Sequence, residues 1–172
     1  MNHLLNKFAA GCRWPGLASL LASLLAAGCA ALPSKHVYTE IEIEAPANRV
    51  WTILADNESY PDWNPYHVSV RGKLEAGSKL QVVLHKPNGE RVEIEPRVMR
   101  VVPMRELTWG GGLRGIFHGE HVFALEEIDA ENTRLVHKED FIGIAVPFAS
   151  LDAIEEGYRQ MNRALKIRAE MQ

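Results

Sequence analysis

The sequence has 172 residues, 47% of them hydrophobic and 24% charged, with a formal charge of −3. That composition suits one globular domain with a sizeable core. A net negative chain with no Lys/Arg cluster excludes a phosphate-tracking stripe, so no nucleic-acid partner is expected.

Residues 1–28 contain Lys7 and Arg13 but no Asp or Glu. The run GLASLLASLLAAG, residues 16–28, is continuously small or apolar. It is shorter than the roughly 20 apolar residues a bilayer-spanning helix needs. A positive start, a short apolar stretch and small residues at its end predict an export signal over 1–28. Both cysteines, Cys12 and Cys29, lie in or directly after this segment, which leaves no disulfide framework for the folded domain. Leu25-Ala26-Ala27-Gly28-Cys29 resembles the lipobox of bacterial lipoproteins, although Ala26 stands where leucine is commonest. The resemblance implies lipidation at Cys29 and a membrane-anchored protein of the cell envelope. Ala30 after the cysteine implies the periplasmic face of the outer membrane. The alternatives are a plain signal peptide, or a misplaced start ahead of a cytoplasmic domain. Loss of residues 1–28 removes two of the 19 basic residues, leaving 17 against 22 acidic ones, a charge of −5.

Residues 29–35 read as a linker, and a single domain is expected over 36–172. In HVYTEIEIEA, Val37, Thr39, Ile41 and Ile43 alternate with charged or exposed positions, which predicts a half-buried strand. In APANRVWTILADN, Pro46 suits a first helical turn and Val50, Trp51 and Leu54 form an apolar face. ESYPDWNPY, with two prolines and three aromatics, is neither a regular strand nor a long helix. Six strands are predicted at about 67–74, 79–86, 91–102, 106–111, 117–128 and 132–141. The turns between them are explicit, the Asn88-Gly89 hairpin signal most of all. Such short connections favour an antiparallel meander. The last element is an amphipathic helix, with Leu151, Ile154, Tyr158, Met161 and Leu165 on one face and Ser150 as its expected cap. The order fits an α+β domain in which a curved antiparallel sheet wraps around a long C-terminal helix and leaves room for a pocket.

APANRVWTILADNESYPDWNPY, GEHVFALEEIDAENTRLVHKEDFIGIAVPF and GYRQMNRALKIRAE together resemble the SRPBCC group, the START-like, polyketide-cyclase-like superfamily with the helix-grip fold. The resemblance covers residues 36 to the C-terminus. It implies that fold and a pocket between sheet and helix. It does not choose among lipid carriers, cyclases and hormone receptors.

Strand parity places Phe117, His121, Phe123 and Leu125 on the concave face, and Leu135, His137, Glu139 and Phe141 beside them. A three-residue hairpin loop sets His121 opposite Glu139 and Phe123 opposite His137. Three readings of His121, His137 and Glu139 stand open. They are a mutually satisfied polar cluster in which Glu139 accepts from His121, polar recognition in an apolar pocket, or chemistry. Chemistry would mean zinc held by these three side chains or a His–Glu acid–base pair. No metal-ligand spacing motif accompanies them, so neither metal nor cofactor is expected. Trp63 is either a plug at one end of the sheet or a wall of the pocket mouth. Trp109 precedes Gly110, Gly111 and Gly112, which form a mobile loop or a site of close backbone approach. Gly157 either admits a close neighbour or leaves space for a ligand. Tyr158 and Met161 are core residues that a helix-grip pocket would also expose to its contents. The expected function is binding, with possible transport, of a small hydrophobic or amphipathic ligand, with no catalytic residue assigned. The alternative is a cyclase, dehydratase or hydrolase using His121, His137 and Glu139.

Overall fold

The computed structural model describes residues 31–171. The expected leader 1–28, Cys29 and Ala30 lie outside the described residues. The elements run β1 (Ser34–Ile43), α1 (Ala47–Ala55), a 3-10 turn (Asn57–Ser59), one helical turn α2 (Tyr60–Trp63), β2 (His67–Arg71), β3 (Gln81–His85) and β4 (Arg91–Ile94). They continue as β5 (Arg97–Val102), β6 (Glu106–Leu113), β7 (Phe117–Glu127), β8 (Thr133–Ile142), a 3-10 turn (Val146–Phe148) and α3 (Ile154–Glu170). The fold is the expected α+β helix grip.

Two antiparallel sheets make the grip. One has the order β1-β8-β7-β6-β5 and the other β2-β3-β4. The alternation read in β1 is realised: Val37, Thr39 and Ile43 are buried against α3. The β7–β8 hairpin places His121 opposite Glu139 and Phe123 opposite His137, the register that the short loop dictates. The expected strand 91–102 is instead two strands. It breaks at Glu95-Pro96 because proline has no N–H for a ladder and its ring restrains the residue before it. The halves belong to different sheets, which meet at the Lys79–Arg97 bridge and through Leu80 N–H donating to Pro96 O at 2.9 Å. Seven strands therefore follow α2 where six were expected.

Of the two readings of the glycine run after Trp109, the close approach holds: Gly110, Gly111 and Gly112 all lie within β6, which runs two residues beyond the expected strand end at 111. A Cβ on Gly110 would overlap the Gly119 carbonyl across the ladder, so close backbone approach is what this glycine permits. The helix α3 starts later than expected. Its N-cap is Ala153, with no side-chain capping bond, and Ser150 sits outside it. Glu155 and Glu156 in its first turn supply the favourable charge at the positive end of the helix dipole. At 17 residues it is about 25 Å long. Ile154, Tyr158, Met161 and Leu165 are all buried, each side chain contributing roughly 1.5–3 kcal/mol. Gly157 lies beneath the Tyr66 ring, and a Cβ there would overlap it.

That contact sets the sign of a simple test. Gly157→Ala gains about 1 kcal/mol in helix propensity but overpacks the Tyr66 contact at about 1–3 kcal/mol. We expect thermal denaturation to show Tm lowered by about 2–8 °C; a raised Tm would show that the ring moves aside freely.

Candidate functional site

A cavity of about 430 Å³ lies between the two sheets and the N-terminal half of α3. Trp109, Phe117, His121, Glu139 and Phe141 line it from β6, β7 and β8, and Ile154 and Tyr158 from α3. Leu84, Val92 and Ile94 close it from the smaller sheet, with Tyr66 and His67 where β2 begins. Its wall is mostly apolar, as small-molecule sites are, with a few polar groups that converge.

The polar groups form two separate arrangements. In the first, the Tyr158 hydroxyl donates a short hydrogen bond to Glu139 Oε2. In the second, Thr39 donates to His137 O at 3.0 Å and Asn162 Nδ2 donates to Thr39 Oγ1 at 2.9 Å. This orients Asn162 so that its Oδ1 accepts from His137 Nδ1 at 2.8 Å. His137 Nε2 is then an acceptor, and it takes the proton of His121 Nε2 at 2.7 Å. His121 Nδ1 is left as a bare acceptor, buried and with no partner among the described residues. A cavity-lining ring with an open acceptor is what a ligand N–H or O–H would complete.

The expected His121–Glu139 hydrogen bond does not form, although the two residues are cross-strand neighbours. His121 stacks on Trp109 with ring centroids 4.9 Å apart, and its Nε2 bonds His137 instead. Glu139 finds its partner on the helix instead. The imidazoles of His67 and His137 crowd the same region, with His67 5.2 Å from His121 centroid to centroid. His67 Nδ1 is 3.1 Å from Met161 Sδ. With both His137 nitrogens engaged inside the protein, the described residues hold no group of three or more His, Cys, Asp and Glu arranged for a metal ion.

Burial sets the charge states. Desolvation lowers His67 to about 3. It also lowers His121 and His137 well below the usual imidazole range, helped by mutual repulsion of the three rings. Desolvation raises the Glu139 carboxyl to about 7, only partly opposed by the Tyr158 hydrogen bond. At neutral pH the cavity thus holds neutral imidazoles and a carboxyl poised to gain or lose a proton.

Of the residues singled out in the sequence, Trp109, Phe117, His121, Glu139, Phe141 and Tyr158 line the cavity. Phe123, His137 and Met161 are fully buried in the layer beneath and do not. Trp63 packs edge-on against Tyr60 at 5.1 Å, away from the cavity. Sequence reasoning missed His67 and Lys86. His67 is the first residue of β2, where a strand-parity reading from buried Val70 says nothing certain across the β2 bulge. Lys86 is buried at the rim of the cavity. Its ammonium donates to Glu90 Oε2 at 2.8 Å and to Ser150 O at 3.0 Å, tying the β3–β4 turn to the segment before α3. The i,i+4 charge pair across a hairpin was its one signal.

A helix-grip fold with a cavity between sheet and helix is the architecture on which the comparisons with known proteins converge. Residues 34–170 match the model of the family described as polyketide cyclase / dehydrase and lipid transport, and the chain belongs to that family. The fold is similar to that of the Zhui aromatase/cyclase from a Streptomyces species, with 23% identity, coverage of 80% of this chain and 94% of that one, and a TM-score of 0.66. It is similar also to a START superfamily protein from Mycobacterium smegmatis (20% identity, 78% and 97% coverage, TM-score 0.61). Norcoclaurine synthase from Thalictrum shares it too (13% identity, 81% and 96% coverage, TM-score 0.59). Among curated proteins, none matches the sequence.

The charge states have a consequence for stability. Unfolded, Glu139 titrates near 4.5 and the imidazoles near 6.5. The raised Glu139 contributes stability that is full below about 4.5 and lost as pH rises through about 7. The depressed histidines contribute the opposite way: their stability is present above 6.5 and lost as pH falls. Three groups outweigh one, so acidification below 6.5 destabilises. Glu139→Gln removes the opposing contribution and should steepen that loss, read as urea midpoints at about pH 5, 6 and 7. An unchanged slope would mean that Glu139 is ionised in the folded protein at all three values.

Proposed function

We propose that this protein binds a small hydrophobic or amphipathic molecule in the cavity, with a hydrogen-bond donor of the ligand set against His121 and the Glu139–Tyr158 pair. The observation that carries this reading is the His121 ring, its buried Nδ1 unpartnered among the described residues, on a mostly apolar cavity wall. Trp109, Phe117, Phe141 and Ile154 supply apolar area, and the two polar arrangements supply orientation. The volume of about 430 Å³ falls within the range of sites for drug-sized molecules. The fold shared with the START superfamily protein and with the aromatase/cyclase is compatible with such a role. With the leader reading, the protein is tethered by Cys29 in the cell envelope, so that the cavity receives or hands over its ligand at a membrane.

A second reading rests on one specific observation, the Glu139 carboxyl at about 7 beside the ligand space. A carboxyl so tuned serves as a general base or acid near neutral pH, with Tyr158 as its hydrogen-bonded partner. Proton transfer in a cyclisation or dehydration is the chemistry it would support. This differs from the His–Glu pair expected from the sequence, because the carboxyl is paired with Tyr158 and not with His121.

Gly111 lines the cavity, and a Cβ there meets only Pro96 Cα at 3.6 Å. Gly111→Leu should therefore fill the cavity without unfolding the protein. With 2-naphthol as a fluorescent probe, we expect affinity to fall by about tenfold or more, the equivalent of about 1.4 kcal/mol, while Tm stays within about 4 °C. 2-Methoxynaphthalene, which lacks the donor, should bind more weakly than 2-naphthol to the unaltered protein. Equal affinities for both probes would sink the assigned role of His121. For the second reading, Glu139→Gln should abolish turnover of a cyclisable substrate while leaving its binding within about threefold. Binding lost together with turnover would make Glu139 a recognition group only.

A further inference from the structure

Exposed large apolar side chains are ordinary when scattered, but here five lie on two segments joined to each other. Leu113 and Ile116 are on the β6–β7 turn; Ile142, Ile144 and Phe148 follow at and beyond the end of β8. Phe148 is 88% exposed and Leu113 67%. Ile144 N–H donates to Gly115 O at 3.1 Å and Ala145 N–H to Ile116 O at 2.9 Å, which locks the two segments into one tip. Gly143 has no side chain, and a Cβ there would overlap the Ile116 carbonyl, so the contact is close by construction. The turn also carries the exposed cation Arg114.

Two further observations say what covers this tip. The cavity extends to it: Gly112, Phe117 and Ala149, which line the cavity, are the sequence neighbours of Leu113, Ile116 and Phe148. The chain also enters the domain there. Gly143 N–H donates to Pro33 O at 2.9 Å, and Ser34 pairs with Ile142. Leu32, next to this point, is a further exposed apolar residue. Ser34 is five residue steps from Cys29, a reach of at most about 18 Å when fully extended. An acyl chain on Cys29 would hold this end of the sheet, and no other, against the bilayer.

We propose that the tip formed by residues 113–116 and 142–148 docks into the headgroup layer of a phospholipid membrane and turns the cavity mouth towards it. The proposal rests on the reading of Cys29 as a lipid anchor for its orientation. Its apolar surface stands on the structure alone. Exposed Ile, Leu and Phe side chains beside an Arg suit the boundary of acyl chains and phosphates. A hydrophobic ligand would then pass between bilayer and cavity without crossing water.

The test uses the full chain from a bacterial envelope, reconstituted in vesicles of phosphatidylcholine and phosphatidylglycerol that include a phosphatidylcholine with a photoactivatable acyl chain. Mass spectrometry would map the crosslinked residues. We expect crosslinks in 113–116 and 142–148, and none in the turns at the opposite end of the sheet, 103–105 and 128–132. Ile144→Ser together with Phe148→Ser, both exposed and thus neutral for folding, should reduce crosslinking at the tip by about tenfold. A protein held on vesicles by an acylated Cys29 but unlabelled at the tip would overturn the docking and keep the anchor. Labelling at the tip with an unmodified Cys29 would support the docking and remove the anchor. A protein that stays in the aqueous phase would overturn both, and a tip shielded by a co-purified protein would overturn the lipid assignment.

Discussion

The pairing of β7 with β8 in the register that sets His121 opposite Glu139 is the constraint from which the site follows. Side chains alternate along a strand, so a slip of β7 by one residue would turn His121 and Phe123 away from the face that carries His137 and Glu139. The register also brings β6 alongside, with Trp109 opposite His121. The indole then stacks on the imidazole and fixes which way its nitrogens point. The imidazoles take their direction from that stack and from Asn162 on α3, which fixes the proton positions of His137 and, through it, of His121, while Tyr158 holds Glu139 separately.

Burial of three imidazoles beside a half-buried carboxyl has an energetic cost, and the protein meets it by keeping the rings neutral and the carboxyl partly protonated near neutral pH. His137 is fully satisfied within the chain, and His67 leans on a thioether. His121 Nδ1 has no partner among the described residues, and Glu139 keeps a proton within reach of neutral pH. These are the two polar groups that line the cavity from adjacent strands, which is where a ligand would need them. The Lys86 tie to Glu90 and Ser150 O closes the rim by joining the smaller sheet to the approach of α3.

Much of the architecture was legible in the sequence because strands and amphipathic helices write their buried faces at fixed periods. The alternation of Val37, Thr39 and Ile43 and the stripe from Ile154 to Leu165 both follow that rule. The hairpin turn even set the His121–Glu139 register. What escaped was whatever depends on contacts between elements distant in sequence. Pro96 divides one apparent strand between two sheets, and periodicity does not mark such a division. The three glycines after Trp109 left a mobile loop and a close backbone approach both open, because composition does not reveal that the Gly119 carbonyl lies against Gly110 and the Phe117 carbonyl against Gly112. Glu139 bonds Tyr158 because the helix crosses the sheet there, a tertiary fact. His67 and Lys86 come to the cavity from the smaller sheet, whose position no local pattern encodes.

The central claim is that the cavity is a binding site. Native mass spectrometry of the protein, purified gently from its own cells, tests it most directly. The account predicts an adduct of a small hydrophobic molecule carrying a hydroxyl or amine, released on denaturation and absent from Gly111→Leu. A bare protein mass together with no uptake of 2-naphthol by the unaltered protein would contradict it.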